Sequence, residues 1–250
     1  MFPSSLTSGQ RWWLLALLAV WAVLLFGGFL VGSAGADASR RMPLNTRLLS
    51  SLVLVVAGWS WFFFCRGAQA ERFALLVALG MSFGLLGDLY MAGLIPLGNR
   101  VLGGMAAFGI GHIFYISAFV GFGNQQGLAA PGPRWGALAV WLLIGLVGWY
   151  VVVFRGQQAT ALHWAALPYA LLLASTAGFA AGLALQAPRF LPLALGGALF
   201  LVSDLILAGQ LFSGLSFRLI GDVIWLTYGP GQMLIVYSIG AALAWVMGKA

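Results

Sequence analysis

The stretch FGLLGDLYMAG, residues 83–93, places an aspartate, Asp88, in a run that is otherwise apolar enough for the interior of a lipid bilayer. A second stretch of the same design follows 116 residues later: LFLVSDLILAG, residues 199–209, also has an aspartate, Asp204, at its sixth position and also ends in Ala-Gly. A carboxylate at the middle of a bilayer costs about 2.5 to 3.5 kcal/mol even on a lenient insertion scale. Two such residues therefore need an explanation, and function is the default one.

Composition assigns the chain to the integral membrane proteins. Of its 250 residues 62% are hydrophobic and 7% are charged, and the mean hydropathy is +1.00. Such a chain has too little polar side chain to cover a water-soluble globule. We predict an all-α, polytopic bundle that forms a single transmembrane domain over residues 1–250. Runs long enough to cross a bilayer, about 20 residues each, predict eight spans near 12–32, 47–65, 72–95, 101–122, 134–154, 162–186, 192–213 and 219–247.

The formal net charge of +7 is explained by arginines in the short loops, where they meet lipid phosphates, and it does not require a nucleic-acid partner. The lone Cys65 and two histidines cannot form a zinc site at the usual spacings, so we expect neither a metal nor an organic cofactor. Lysines and arginines divide six to six between the two sides, so the charge rule assigns no orientation. We expect a multi-pass protein of the bacterial inner (plasma) membrane and make no prediction of its oligomeric state.

Depth places the two aspartates in one layer of the membrane. The third and seventh spans run in the same direction, and Asp88 and Asp204 lie about 10 to 14 Å below the same surface at 1.5 Å per residue. Other polar side chains of the fourth, sixth and eighth spans fall in the same half: His112, Tyr115, His163, Tyr169, Asp222, Thr227, Tyr228 and Gln232. This pattern predicts a single cavity that opens at one face. The alternative is that these residues hydrogen-bond helix to helix, an alternative that is strongest for Asp222, about one turn inside its span.

The two aspartate stretches also suggest an internal repeat. They share Leu, Leu, Ala and Gly at matching positions and lie four spans apart, which predicts two parallel halves of four helices whose aspartates face each other. The same offset sets His112 opposite Tyr228, each 24 residues after its aspartate. In the last span Pro230 lies between two glycines, so we expect a kink or a local unwinding there.

Four segments resemble the signatures of the YhhN-like membrane lysoplasmalogenases, in order and spacing: GDLYMAG, the His-x-x-Tyr of GHIFYISAF, LGGALFLVSDLILAG, and the Tyr-x-x-x-Gln of TYGPGQMLI. The resemblance covers about residues 75–240. It implies an ether hydrolase that cleaves the vinyl ether bond of lysoplasmalogens and releases a fatty aldehyde and glycerophosphocholine or glycerophosphoethanolamine. The implied partners are a lysophospholipid substrate and membrane lipid. Gly229, Pro230 and Gly231 depart from the bulkier residues expected between that tyrosine and glutamine.

The residues suit this chemistry. A vinyl ether is cleaved by protonation of the carbon beta to its oxygen, and water attacks the resulting oxocarbenium ion, so a proton donor and a nearby anion are needed. Two carboxyl groups that share a cavity resist losing both protons, so one can remain neutral while the other is ionised. We therefore predict Asp88 and Asp204 as the catalytic pair, without assigning acid and base. The candidates for binding or orienting the substrate are His112, Tyr115, Tyr228, Gln232, Asp222 and Arg100.

Two other classes of function use the same aspartates. A transporter would bind protons or cations with them along an alternating-access path. A non-catalytic protein would bind the lysolipid and release no aldehyde. Aldehyde release in detergent separates the enzyme from both.

Overall fold

The computed structural model describes residues 3–34 and 38–248 of the chain, and within these ranges all regular secondary structure is helical. Each predicted span falls on one helix that is long and apolar enough to cross a membrane, which confirms the eight-span, all-α prediction. The protein is therefore a multi-pass membrane protein. The helices, numbered α1 to α8 in chain order, are Ser8–Val31, Leu44–Phe64, Glu71–Met91, Arg100–Gln126, Pro131–Phe154, Ala161–Gln186, Pro188–Phe212 and Ile220–Met247.

Six of these helices close into a ring. Going round it, α2 packs on α3, α3 on α4, α4 on α6, α6 on α7, α7 on α8, and α8 back on α2, while α3 and α8 also contact each other. The remaining helices, α1 and α5, pack outside the ring and are the least buried of the eight. Each of these two contains a π-helical turn near its C-terminal end, Val23–Gly27 and Tyr150–Phe154. In each half the first helix is thus peripheral and the other three belong to the ring, although the contact between α3 and α8 has no equivalent of similar extent between α7 and α4.

Close packing inside the ring depends on a face of small residues on α3. A Cβ atom added to Gly84 would lie 2.8 Å from Nε2 of Gln232, and one added to Gly87 would lie 2.7 Å from the Phe108 ring. Gly80, one turn earlier, meets the ring of Tyr115 in the same way. In membranes such residues let helices approach closely. Here they give room to polar and aromatic side chains of α4 and α8.

The helix α8 stays α-helical throughout, so the local unwinding expected at Pro230 does not occur. The flanking glycines are contact positions. A Cβ on Gly231 would lie 3.0 Å from the carbonyl oxygen of Gly196 in α7, and one on Gly229 would lie 2.8 Å from Leu25 in α1. The small residues around the proline therefore bring α8 close to its neighbours.

The first turn of α8 holds the segment that connects α1 to α2. Asp222 is fully buried, and its two carboxylate oxygens accept hydrogen bonds from the backbone N–H groups of Arg41 (2.6 Å) and Met42 (2.9 Å). Two backbone hydrogen bonds, from Leu219 to Ala38 (3.0 Å) and from Gly221 to Ser39 (2.9 Å), continue the junction. Leu219 and Ala38 are the only non-glycine residues with positive φ in the described chain, at 64° and 50°. The Asp222 carboxylate is thus an anchor for this segment.

We expect Asp222→Ala to lower the stability of the purified protein in detergent by about 2 to 5 kcal/mol, because two charge-assisted hydrogen bonds to buried N–H groups are lost. Asp222→Asn retains one acceptor oxygen, so its stability should lie between those of the wild type and of Asp222→Ala. Thermal melting measures the effect. The control is Glu71→Ala, which removes an exposed acceptor of the Gly67 N–H and should cost less. Equal melting temperatures for the two alanine variants would contradict the anchoring role.

Candidate active site

A cavity of about 640 Å³ lies inside the ring at one end. Its walls come from the first turns of α2, α4 and α8, from the last turns of α3 and α7, and from the α1–α2 connection. These ends share one membrane face, so the cavity opens there. Asp88 and Asp204 both line it, although they come from different halves of the chain. Two carboxylates that share a cavity repel each other, which opposes the ionisation of both.

Asp88 lies one turn before the end of α3 and is 5% exposed. Its Oδ2 accepts hydrogen bonds from the hydroxyl of Ser51 in α2 (2.6 Å) and from that of Tyr228 in α8 (3.1 Å). No described residue donates to its other oxygen, Oδ1. The two donors fix the orientation of the carboxyl group and leave Oδ1 available to a molecule in the cavity.

Asp204 lies two turns before the end of α7 and is less buried than Asp88. The hydroxyl of Tyr169 in α6 donates a hydrogen bond to its Oδ2. The neighbouring Ser203 hydroxyl is 3.3 Å from Oδ1 but donates more closely to the carbonyl of Phe200, at 2.7 Å. Each aspartate thus receives a hydroxyl from the helix that precedes it, Ser51 for Asp88 and Tyr169 for Asp204.

A chain of hydrogen bonds supports the Tyr228 hydroxyl. Tyr115 donates to Oε1 of Gln232 (2.8 Å), Nε2 of Gln232 donates to the Tyr228 oxygen (3.3 Å), and Tyr228 donates to Asp88. All three donors point toward the carboxyl group. A chain of this polarity stabilises negative charge on Asp88. Tyr115 and Gln232 are buried behind the cavity and reach it only through Tyr228.

The structure places the other three candidates apart from one another. Arg100, the first residue of α4, lines the cavity. His112 lies outside the lining, and its Nδ1 is 2.9 Å from the hydroxyl of Thr176 in α6. The Thr176 hydroxyl is also within hydrogen-bond distance of the carbonyl of Leu172 (3.1 Å). Asp222 also lies outside the lining, since both of its oxygens bind the α1–α2 connection.

Several lining or supporting residues were not among the predicted candidates: Ser51, Tyr169, Arg40 and Arg47. Arg47 was predicted at the start of the second span, near 47–65, where arginines were expected to meet lipid phosphates. The helix α2 begins three residues earlier, at Leu44, so Arg47 falls in its first turn, where it is 7% exposed and stacks on the Trp225 ring at 5.3 Å. It therefore lines the cavity instead of facing the lipid.

Among the described residues no group of three or more His, Cys, Asp or Glu side chains is placed to hold a metal ion. The polar side chains that line the cavity are two carboxyls, the Tyr228 hydroxyl, the Gln210 amide and three arginines. These groups can donate and accept protons, stabilise a cation at the carboxyl groups and bind an anion at the arginines.

Comparison with known protein families matches residues 42–239 to the YhhN family, a range that includes both aspartate segments and the Tyr228–Gln232 pair. A search of curated proteins and a search of solved structures found no match. Because the family match covers well over half of the sequence, the chain belongs to the YhhN family, the family of lysoplasmalogenases.

Proposed function

We propose that this protein is an intramembrane ether hydrolase that cleaves the vinyl ether bond of lysoplasmalogens. The products are a fatty aldehyde and glycerophosphocholine or glycerophosphoethanolamine. The observation that carries the proposal is the meeting of Asp88 and Asp204 on the wall of one cavity inside a membrane-embedded ring. Family membership supports the same activity.

The reaction needs one proton donor and one anion, and two carboxyl groups supply both. The neutral carboxylic acid gives its proton to the carbon beta to the ether oxygen, and the vinyl ether becomes an oxocarbenium ion. The ionised carboxylate stabilises this cation and then takes a proton from the water that attacks the adjacent carbon. The resulting hemiacetal separates into the aldehyde and the alcohol of the glycerol backbone. One water is consumed, and the pair ends with one proton, as it began.

The shape of the cavity favours this reaction over transport. The cavity opens at one face, and beyond it the ring is filled by fully buried side chains, among them Trp61, Phe119, Leu173 and Phe190. A transporter needs a second arrangement that opens the same site to the other face. For the location we propose the inner (plasma) membrane of a bacterium, because bacterial outer-membrane spans are β-strands rather than helices.

We expect Asp88→Asn and Asp204→Asn each to lower kcat by about 10² to 10⁴-fold, the usual contribution of a general acid or base. Fatty aldehyde released from a vinyl ether lysolipid by the purified protein in detergent measures the rate. The saturated alkyl analogue should remain intact, because protonation cannot turn it into the same cation. The control is Asp222→Asn, compared at a temperature at which it remains folded, and it should keep most of the activity.

The pH profile of the wild type should be bell-shaped, since the pair must hold one proton and lose the other. Release of no aldehyde from either substrate by the wild-type protein would contradict the proposed function. Aldehyde release that survives both asparagine substitutions would contradict the assigned pair.

We expect Tyr228→Phe and Tyr169→Phe to lower kcat by about tenfold to a hundredfold, because each removes a hydrogen bond to a charged or partly charged carboxyl group. Tyr115→Phe should have a smaller effect, since its hydroxyl acts through Gln232. These are positioning residues, so the pH profiles of the first two variants should also shift.

The matched control is Tyr237→Phe. Tyr237 is equally buried and donates to the carbonyl of Leu14 (2.7 Å), far along α8 from the cavity. It should affect thermal stability and leave the pH profile unchanged. If the pH profile of Tyr237→Phe shifts as much as that of Tyr228→Phe, the shift comes from a general loss of packing in the bundle and not from the lost hydrogen bond to the carboxyl group.

A further inference from the structure

Three arginines from different parts of the chain line the mouth of the cavity: Arg40, Arg47 and Arg100. All three lie at the N-terminal ends of helices. Arg100 is the first residue of α4, Arg47 is in the first turn of α2, and Arg40 lies against Gly221 in the first turn of α8. The N-terminus of a helix carries partial positive charge, so an arginine there does not stabilise the helix. Together they make the mouth of the cavity electrically positive, which favours an anion there.

Arg47 gives the strongest indication. It is 7% exposed and lines the cavity, yet its Nε has no hydrogen-bond partner, and the guanidinium forms no hydrogen bond or ion pair with any described residue. A guanidinium has five N–H donors, and a buried cation without acceptors is costly. A phosphate group in the cavity would supply the acceptors, in the bidentate geometry that arginine prefers.

The neighbouring Arg41 shows what an arginine with a structural role looks like in this protein. Its Nε donates to the carbonyl of Gly32 (3.0 Å) and its NH2 group donates to that of Leu30 (3.2 Å), at the end of α1. Arg41 does not line the cavity. Adjacent arginines thus differ in role, because one caps the C-terminal end of α1 with hydrogen bonds and the others face the cavity.

A second, apolar pocket adjoins the cavity beside Asp204, and we call it the apolar branch. It has a volume of about 60 Å³, runs between α4, α5, α6 and α7, and is lined almost entirely by apolar side chains such as Met105, Val153 and Ala208. Asp204 and Phe108 belong to the walls of both the branch and the main cavity. Asp204 thus lies where a polar space with arginines meets a space suited to hydrocarbon.

We propose that Arg40, Arg47 and Arg100 form a phosphodiester subsite and that the apolar branch receives the first carbons of the ether-linked chain. The inference rests on the proposed function and defines the pose of its substrate. The headgroup lies toward the loops, the chain points between α4 and α7, and the ether bond lies at the junction, next to Asp204 and across from Asp88. Substrates without the phosphodiester bind more weakly in this pose.

The test is equilibrium binding, which needs no turnover. The probes are a radiolabelled lysophospholipid with a saturated alkyl ether chain, the alkylglycerol of the same chain length, and glycerophosphocholine, which has no chain. For the wild type we expect the alkyl lysophospholipid to bind at least tenfold more tightly than either of the others. Equal binding of the lysophospholipid and the alkylglycerol would overturn the phosphodiester subsite.

The variants are Arg40→Gln and Arg100→Gln, singly and together. Each should weaken binding of the alkyl lysophospholipid by about tenfold and leave that of the alkylglycerol unchanged. The matched controls are Arg155→Gln and Arg218→Gln, exposed arginines of the same membrane face that do not line the cavity. Equal losses for both ligands, or equal losses in the control variants, would overturn the proposal.

The branch is tested by Ala208→Leu, which fills part of it, with Ala106→Leu on the exposed side of α4 as control. Only Ala208→Leu should weaken binding of the two ligands that have chains, and thermal melting verifies that both variants are folded. Unchanged binding in folded Ala208→Leu would overturn the chain position. These results are independent of aldehyde release. Arginine-dependent binding without turnover would contradict the proposed hydrolase and support the subsite. Turnover without arginine-dependent binding would support the hydrolase and contradict the subsite.

Discussion

The central physical constraint on this protein is the burial of two carboxyl groups in a bundle that has few other polar side chains. Asp88 and Asp204 are tolerated at membrane depth because each accepts a hydrogen bond from a tyrosine hydroxyl and because they share a cavity that water can enter. Their mutual repulsion makes the doubly ionised state costly. The proposed mechanism uses the same repulsion, because it favours a neutral acid beside an anion.

The ring architecture determines where this pair can meet. Two peripheral helices, α1 and α5, leave six to enclose the cavity, and the small face of α3 lets Tyr115, Gln232 and Phe108 approach its axis. At the mouth, Asp222 holds the connection that carries Arg40. The two carboxyls, the hydroxyls that bind them and the proposed phosphate site thus lie in successive layers from the middle of the membrane to one surface.

The sequence predicted the eight helices and the shared cavity of the central pair, because the lengths of the apolar runs define the spans and the helical rise gives the depth of each aspartate. It placed Tyr169 in the same half of the membrane as the aspartates, but it predicted neither Tyr169 nor Ser51 as a hydrogen-bond donor to them. Spans that are apolar on all sides show little periodicity that would indicate which face turns inward. The sequence therefore predicts the depth of a residue in the membrane but not the direction in which its face of the helix points. Arg47 was missed because the arginines were assigned together to contacts with lipid phosphates. The roles of His112 and Asp222 depend on contacts with Thr176 and with a loop, and no local pattern encodes these.

The most direct test of the account is the protonation state of the pair at neutral pH. Infrared difference spectroscopy of the purified protein, in H₂O and D₂O, measures the carbonyl band of a protonated carboxylic acid. The account predicts a band equivalent to one protonated carboxyl, which is retained in Asp222→Asn and absent from the Asp88→Asn/Asp204→Asn double variant. A wild-type protein in which both groups are ionised, or both are protonated, would contradict the central claim.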